Sequence, residues 1–415
     1  MRILIKNIKQ LIQTSNDPAT LLKKGTEMAQ MDVIENGWLI IEDSKIKNFG
    51  DSTTFPSQER FDKEIDATGR VVMPALCDCH THIVYAGSRE KEFFDKIRGL
   101  SYQEIAKRGG GILNSADLLS KTSEGELFQQ AMERVREITA KGTGSVEIKS
   151  GYGLNPADEI KMLRVIKRIS EESQLTVKST FLGAHAFPQR YKEDHAGYVD
   201  EIINEMIPVI ATEELADYID IFCEEGFFSI EDTDRILNAG IKYGLRPKVH
   251  ANQMGFSGGV QMGVKYNAIS VDHLEFTGDE EFELLANSDT MPVLLPGATM
   301  FLKMDYAPAQ KMLERGLPLA VASNYNPGSC PSGDLMFMMF LACQHYKFTA
   351  EQAINATTIN SAYAMDLSET KGTIAVGKDA DLLITKPVPS YEFLPYSFTT
   401  PLIERMILGG KEISL

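Results

Sequence analysis

The chain of 415 residues is longer than one hydrophobic core sustains, and its hydrophobic fraction of 43% and charged fraction of 24% are those of a water-soluble globular protein, so a large domain with a smaller one is expected. A formal net charge of -16, spread without an acidic tail, disfavours nucleic acid or an anionic membrane as partner, because both require a positive surface to displace counterions. The longest uninterrupted apolar run, residues 335–343, is far short of the roughly 18 residues of a membrane-spanning helix. The opening MRILIKNIKQLI carries Lys6 and Lys9 within its apolar pattern and no small-residue cleavage site, unlike a signal peptide. Five cysteines, odd in number and irregularly spaced, suggest reduced thiols in a cytoplasmic protein.

In chain order, Ile3-Leu4-Ile5 and Trp38-Leu39-Ile40-Ile41 read as strands, with a turn at Glu42-Asp43-Ser44-Lys45. The C-terminal stretch from Gly372 to Gly410 has the same short apolar runs and turn residues. The two ends, 1–66 and 365–415, are expected to form one small β-sandwich domain around a centre spanning 67–364. That centre alternates short apolar runs with helical patterns at 124–140, 156–172, 198–217 and 230–243, which implies a parallel sheet. The candidate strands are 71–77, 145–149, 176–182, 218–224, 247–251, 268–274, 291–295 and 317–323, matching a (β/α)8 TIM-type barrel in number and length. A doubly wound open sheet is the competitor, but no GxGxxG follows the first strand, and Gly109-Gly110-Gly111 does not stand behind one.

Of seven histidines, five fall at or just beyond the C-terminal end of a candidate strand: His80, His82, His185, His250 and His273. Those ends converge on the face where barrel enzymes keep their chemistry. His195 and His345 lie in helical or loop contexts and read as ordinary surface residues. Alternate residues of an extended strand point the same way, so His80 and His82 can grip one metal ion together, and His250 supplies a third imidazole. Three imidazoles and an open position for water form a catalytic zinc arrangement, and iron accepts the same ligands. At the end of the eighth strand, where a barrel would place a carboxylate base, stands the neutral Asn324.

Seven motifs together carry a resemblance. They are PALCDCHTHIVYAGSRE at 74–90, the Gly109-Gly110-Gly111-Ile112 turn, IKSGYGL at 148–154, LGAHAFP at 182–188, HANQMGFSGG at 250–259, VDHLEF at 271–276 and NYNPGSCPSG at 324–333. In this order, and over most of the chain, they resemble the imidazolonepropionase family of the amidohydrolase superfamily. That resemblance implies hydrolysis of the ring amide of 4-imidazolone-5-propanoate to N-formimidoyl-L-glutamate in histidine degradation, in a cytoplasmic homodimer holding one divalent or trivalent metal ion, zinc or iron. It assigns His80, His82 and His250 to the metal, with the Asn324 position as a further ligand. Arg89 would hold the substrate carboxylate, which suits its fixed fork of donors. Tyr152, His185, Asn326, Gly328 and Ser329 would contact substrate or product, and His273 would stand near the reacting carbonyl. Gln253 occupies a Glu or Gln position of the family, where it can exchange hydrogen bonds with the ring but not act as a base.

Asn324 departs from the pattern, which has a metal-binding and proton-transferring aspartate there, so impaired turnover is expected. Among substitutes, Asp272 is expected to point away from its neighbour His273, while Glu224 is better placed, with a capping or barrel-rim role as the plainer reading for it and for Glu225. Some superfamily members bridge two metals with a modified lysine from the fourth strand. None is present there, and Lys149 follows the second strand, so one metal and a structural Lys149 are expected. The alternatives are another small cyclic amide or amidine hydrolase or deaminase, or a non-catalytic ligand-binding relative.

Overall fold

A computed structural model describes residues 1–100 and 110–414, so Gly109 of the predicted turn lies outside the described residues. Both chain ends meet in one eight-stranded mixed sheet. Its strands are β1 (Arg2–Thr14), β2 (Asp32–Glu42), β3 (Lys45–Asp51), β4 (Lys63–Asp66), β5 (Val71–Pro74), and, after the central domain, β14 (Leu382–Thr385), β15 (Ile403–Leu408) and β16 (Lys411–Ile413). Side-chain alternation along β1 and β2 sorts the apolar residues into two layers. Ile3, Ile5, Leu39 and Ile41 enter the main core of this domain, while Leu4, Trp38 and Ile40 form a smaller cluster. The predicted terminal unit is thus a sheet sewn from both ends, with β5 paired to β1 and to β14.

The second sheet is parallel, in the order β13-β12-β11-β10-β9-β8-β7-β6. It comprises β6 (Leu76–Thr81), β7 (Thr143–Lys149), β8 (Thr176–Ala184), β9 (Tyr218–Cys223), β10 (Arg246–Ala251), β11 (Ser270–His273), β12 (Met291–Leu294) and β13 (Ala320–Val321). The barrel closes beyond β13, where Asn324 N donates to His80 O at 3.0 Å and His82 N to Tyr325 O at 2.9 Å. Most barrel strands are buried along their whole length, as expected of parallel strands covered by helices outside and packed side chains inside.

Two expectations are corrected. The predicted first barrel strand, 71–77, divides at Ala75. Val71–Pro74 stays in the terminal sheet, Ala75 N donates to Asp381 O, and Leu76 N donates to Gly142 O in the barrel. An apolar run with no turn residue carries no mark of where it leaves one core for another. The predicted helix 198–217 begins earlier and ends at Thr212, with a wide π turn over Ile202–Met206. Pro208 has no N–H to give residue 204, and Glu214 adopts a left-handed φ of 51° that stops the helix.

The other helices follow their local signals. Glu124–Ala140 is capped by Ser123, Pro156–Glu172 by Asn155 with proline at its first position, and Ile230–Lys242 by a Ser229–Asp232 capping box. Helix Gly259–Lys265 lies so close to β11 that a Cβ on Gly263 would land on Val271 Cγ1. Helix propensity alone favours Gly263→Ala by about 1 kcal/mol, but overpacking costs about 1–3 kcal/mol. The substitution is therefore expected to lower the thermal midpoint measured by circular dichroism, and a raised midpoint would show that the helix moves off the strand freely.

Candidate active site

His80 lies in β6, His82 one residue beyond it, and His250 in β10, and all three are buried. Their donor atoms fall within 4.8 Å of one another. His80 Nε2 and His82 Nε2 approach to 3.3 Å, and His250 Nε2 has no hydrogen-bond partner among the described residues. Burial holds His80 and His82 well below the ordinary imidazole range and lowers His250 even against the attraction of Asp220. Neutral rings with unshared nitrogens converging on one point are a donor set, and it fits one divalent metal ion.

The carboxylates behind these rings differ from expectation. Asp272 points into the barrel, with Oδ2 2.6 Å from His80 Nδ1. Strand alternation fails here because the chain leaves extended geometry at once: His273 has φ 92° and Leu274 φ 68°, so both side chains of the Asp272–His273 pair turn inward. Asp220 Oδ2 is 3.0 Å from His250 Nδ1. Glu224 accepts the N–H groups of Gln253 and Met254, which makes it an anchor of the loop after β10, while Glu225 is exposed.

Above the histidines opens a cavity of about 230 Å³ whose lining includes His82, Arg89, Tyr152, His185, His250, Gln253, His273, Asn324, Asn326, Gly328 and Ser329. Of the sequence-predicted site residues only His80 sits beneath the surface rather than on it. Tyr152 is placed by a loop that Glu159 ties down, accepting from Gly151 N, Gly153 N and Leu154 N at 3.0, 2.7 and 2.9 Å. His185 Nδ1 lies 3.0 Å from Gly151 O, which puts the proton on Nδ1, and burial first, then the nearby His250, pushes its pKa down to about 3. Arg89 donates Nε and Nη2 to Glu92 Oε2 at 3.0 and 2.6 Å, while Glu92 Oε1 accepts Gly111 N at 2.8 Å. Gly328 packs directly on the same guanidinium, where any side chain would strike Nη1.

Asn324 adopts a left-handed φ of 53°, which asparagine tolerates well, and its Oδ1 accepts Asn326 Nδ2 at 3.1 Å. Asn326 also gives Nδ2 to Asn324 O and takes the N–H groups of Gly328 and Ser329 on Oδ1, so much of its capacity goes into folding its own loop. Sequence reasoning missed Lys96, Phe222 and Met254 in the wall, and Glu147, Asp220 and Lys248 beneath the histidines. The available signal for the second set was a charged residue inside an apolar strand run. His195 and His345 stand apart from the cavity, stacked on Phe187 and Tyr306.

The amidohydrolase family model matches residues 239–411. An imidazolonepropionase from Flavobacterium johnsoniae is 53% identical over 413 residues, covering 100% of both chains. Another from Christiangramia forsetii is 54% identical over 413 residues, again covering 100% of both. Among solved structures, a triazine hydrolase variant superposes with a TM-score of 0.76 at 14% identity, covering 99% of this chain and 94% of that one, a likeness of fold.

The depressed imidazoles set a pH dependence. Below about pH 6.5 the unfolded chain binds protons that the folded, buried histidines refuse, so stability is lost as pH falls, by about 1.4 kcal/mol per unit for each histidine. The thermal midpoint of metal-stripped protein is expected to fall below about pH 6.5, and His185→Gln to make that fall shallower. Parallel pH profiles of the two proteins would contradict the burial of a neutral His185.

Proposed function

This chain belongs to the imidazolonepropionase family of amidohydrolases, and from that membership and the site we infer that it hydrolyses the ring amide of 4-imidazolone-5-propanoate, yielding N-formimidoyl-L-glutamate, a step of histidine degradation. The observation that carries this reading is that two members of the buried three-histidine donor set, His82 and His250, line the same cavity as Arg89. A cation at one end and a carboxylate clamp at the other match a substrate with a hydrolysable ring and a propanoate arm.

His80, His82 and His250 would hold one zinc or iron ion, with the Asn324 amide oxygen as a neutral further ligand. Such an ion supplies Lewis acidity and a bound water of lowered pKa. Arg89, held by Glu92, would clasp the propanoate carboxylate, and Lys96 adds a second positive charge to the same wall. Tyr152 and the unprotonated Nε2 of His185 border the ring, and Gln253 can donate to and accept from it without taking a proton. His273, at the end of β11 and in the cavity lining, would polarise the carbonyl oxygen, and the Asn326–Ser329 loop would border the arm. Hydrolysis adds hydroxide to the carbonyl carbon and a proton to the departing ring nitrogen.

That proton needs a carrier, and Asn324 accepts none at neutral pH. We propose that turnover is therefore slowed, since a missing general base typically costs ~10²–10⁴ in rate. The neutral amide also favours a second reading, a ligand-binding relative that holds substrate or product without turnover. A homodimer in the cytoplasm completes the proposal. Asn324→Asp, assayed beside the parent for metal content and imidazolone hydrolysis, is expected to raise kcat by ~10²–10⁴ and to bind metal more tightly. Equal turnover in both would remove Asn324 as the limiting residue, and tight substrate binding without turnover in either would favour the ligand-binding reading.

A further inference from the structure

Beneath the histidines lie five fully buried charged side chains: Glu147 and Lys149 on β7, Asp220 on β9, Lys248 on β10 and Asp272 on β11. Lys149 Nζ is 2.7 Å from Glu147 Oε1, 2.8 Å from Asp220 Oδ2 and 3.7 Å from Asp272 Oδ2. The same two aspartate oxygens meet the rings, Asp220 Oδ2 at 3.0 Å from His250 Nδ1 and Asp272 Oδ2 at 2.6 Å from His80 Nδ1. One ammonium thus stands behind two of the three imidazole donors, which come from strands four apart in the sheet. Lys248 has different work: its Nζ reaches Glu147 Oε2 at 3.3 Å and the carbonyls of Cys79 and Ala364, and touches neither aspartate.

A carboxylate at Nδ1 fixes the tautomer that leaves Nε2 as the donor and locks the plane of the ring. Asp220 Oδ2 is shared between His250 and Lys149 at hydrogen-bond distance, whereas Asp272 Oδ2 lies in ionic range of the same ammonium at 3.7 Å and its Oδ1 accepts Ser270 Oγ at 2.6 Å. Lys149 therefore fixes Asp220 directly and Asp272 through its charge. Lys149 itself, surrounded by three carboxylates, is held positive against the desolvation of burial. It cannot carry a carbamate, which would add a fourth negative charge.

We propose that Lys149 is a positioning residue of the metal site, holding Asp220 and Asp272 so that His250 and His80 present Nε2 to one ion. This rests on the metal-dependent reading above. The test uses the full chain stripped of metal and titrated with cobalt(II) against a competing chelator, with the visible d–d spectrum recorded. Lys149→Met is expected to weaken cobalt binding by ~10–100-fold and to shift the spectrum. Glu147→Gln, which takes a charge from the same cluster but touches no histidine, is expected to lower the thermal midpoint while leaving affinity and spectrum unchanged. Should Lys149→Met fail to fold, Asp220→Asn and Asp272→Asn preserve shape and are each expected to weaken cobalt binding and alter its spectrum. Folded variants at Lys149, Asp220 or Asp272 with parental affinity and spectrum would overturn the proposal. A parent chain that binds no cobalt would instead overturn the metal reading on which it depends.

Discussion

Three imidazoles must be kept unprotonated, away from water and pointed at the same place, and much of the barrel interior is arranged to meet that condition. Burial secures the neutral state of His80 and His82 but leaves ring nitrogens that need partners. Supplying carboxylates solves the orientation and creates a second problem, since an unpaired buried carboxylate is strongly unfavourable. Lys149 answers it, from a strand position that an ordinary barrel would fill with valine or isoleucine. The interior is therefore an ionic lattice with an apolar surround, more demanding of geometry than an apolar core and less tolerant of substitution.

The cavity above divides its labour by element type. Its floor is built on strand ends, whose positions are held by the sheet and by the outer helices. Its walls are loops that have been made rigid one at a time: Glu159 gathers three backbone N–H groups around Tyr152, Glu92 joins Arg89 to Gly111, and Asn326 closes the turn carrying Gly328 and Ser329. Each wall has its own buried or half-buried anchor, so recognition can vary in one loop without disturbing the floor.

Much of this was legible in the sequence. Alternation of strand and helix and the histidines at strand ends are local signals, and the structure follows them. What escaped depends on contacts between distant segments. Nothing local tells that Asp272 turns inward, because that follows from the positive φ of His273 and from the His80 ring waiting across the barrel. The departure of the chain from one sheet to the other at Ala75 lies in a run that is apolar throughout, where periodicity has nothing to report. Lys96 is an ordinary helix-surface lysine until the fold sets it beside Arg89.

The passage at Ala75 has one more consequence. β5 is sandwiched between the first strand of the chain and β14 near its end, and two residues later the same polypeptide is the histidine-bearing β6. The terminal sheet and the histidine-bearing strand are thus one nearly continuous run of chain, with Ala75 alone between β5 and β6. A shift of β5 is therefore passed to the strand that carries His80.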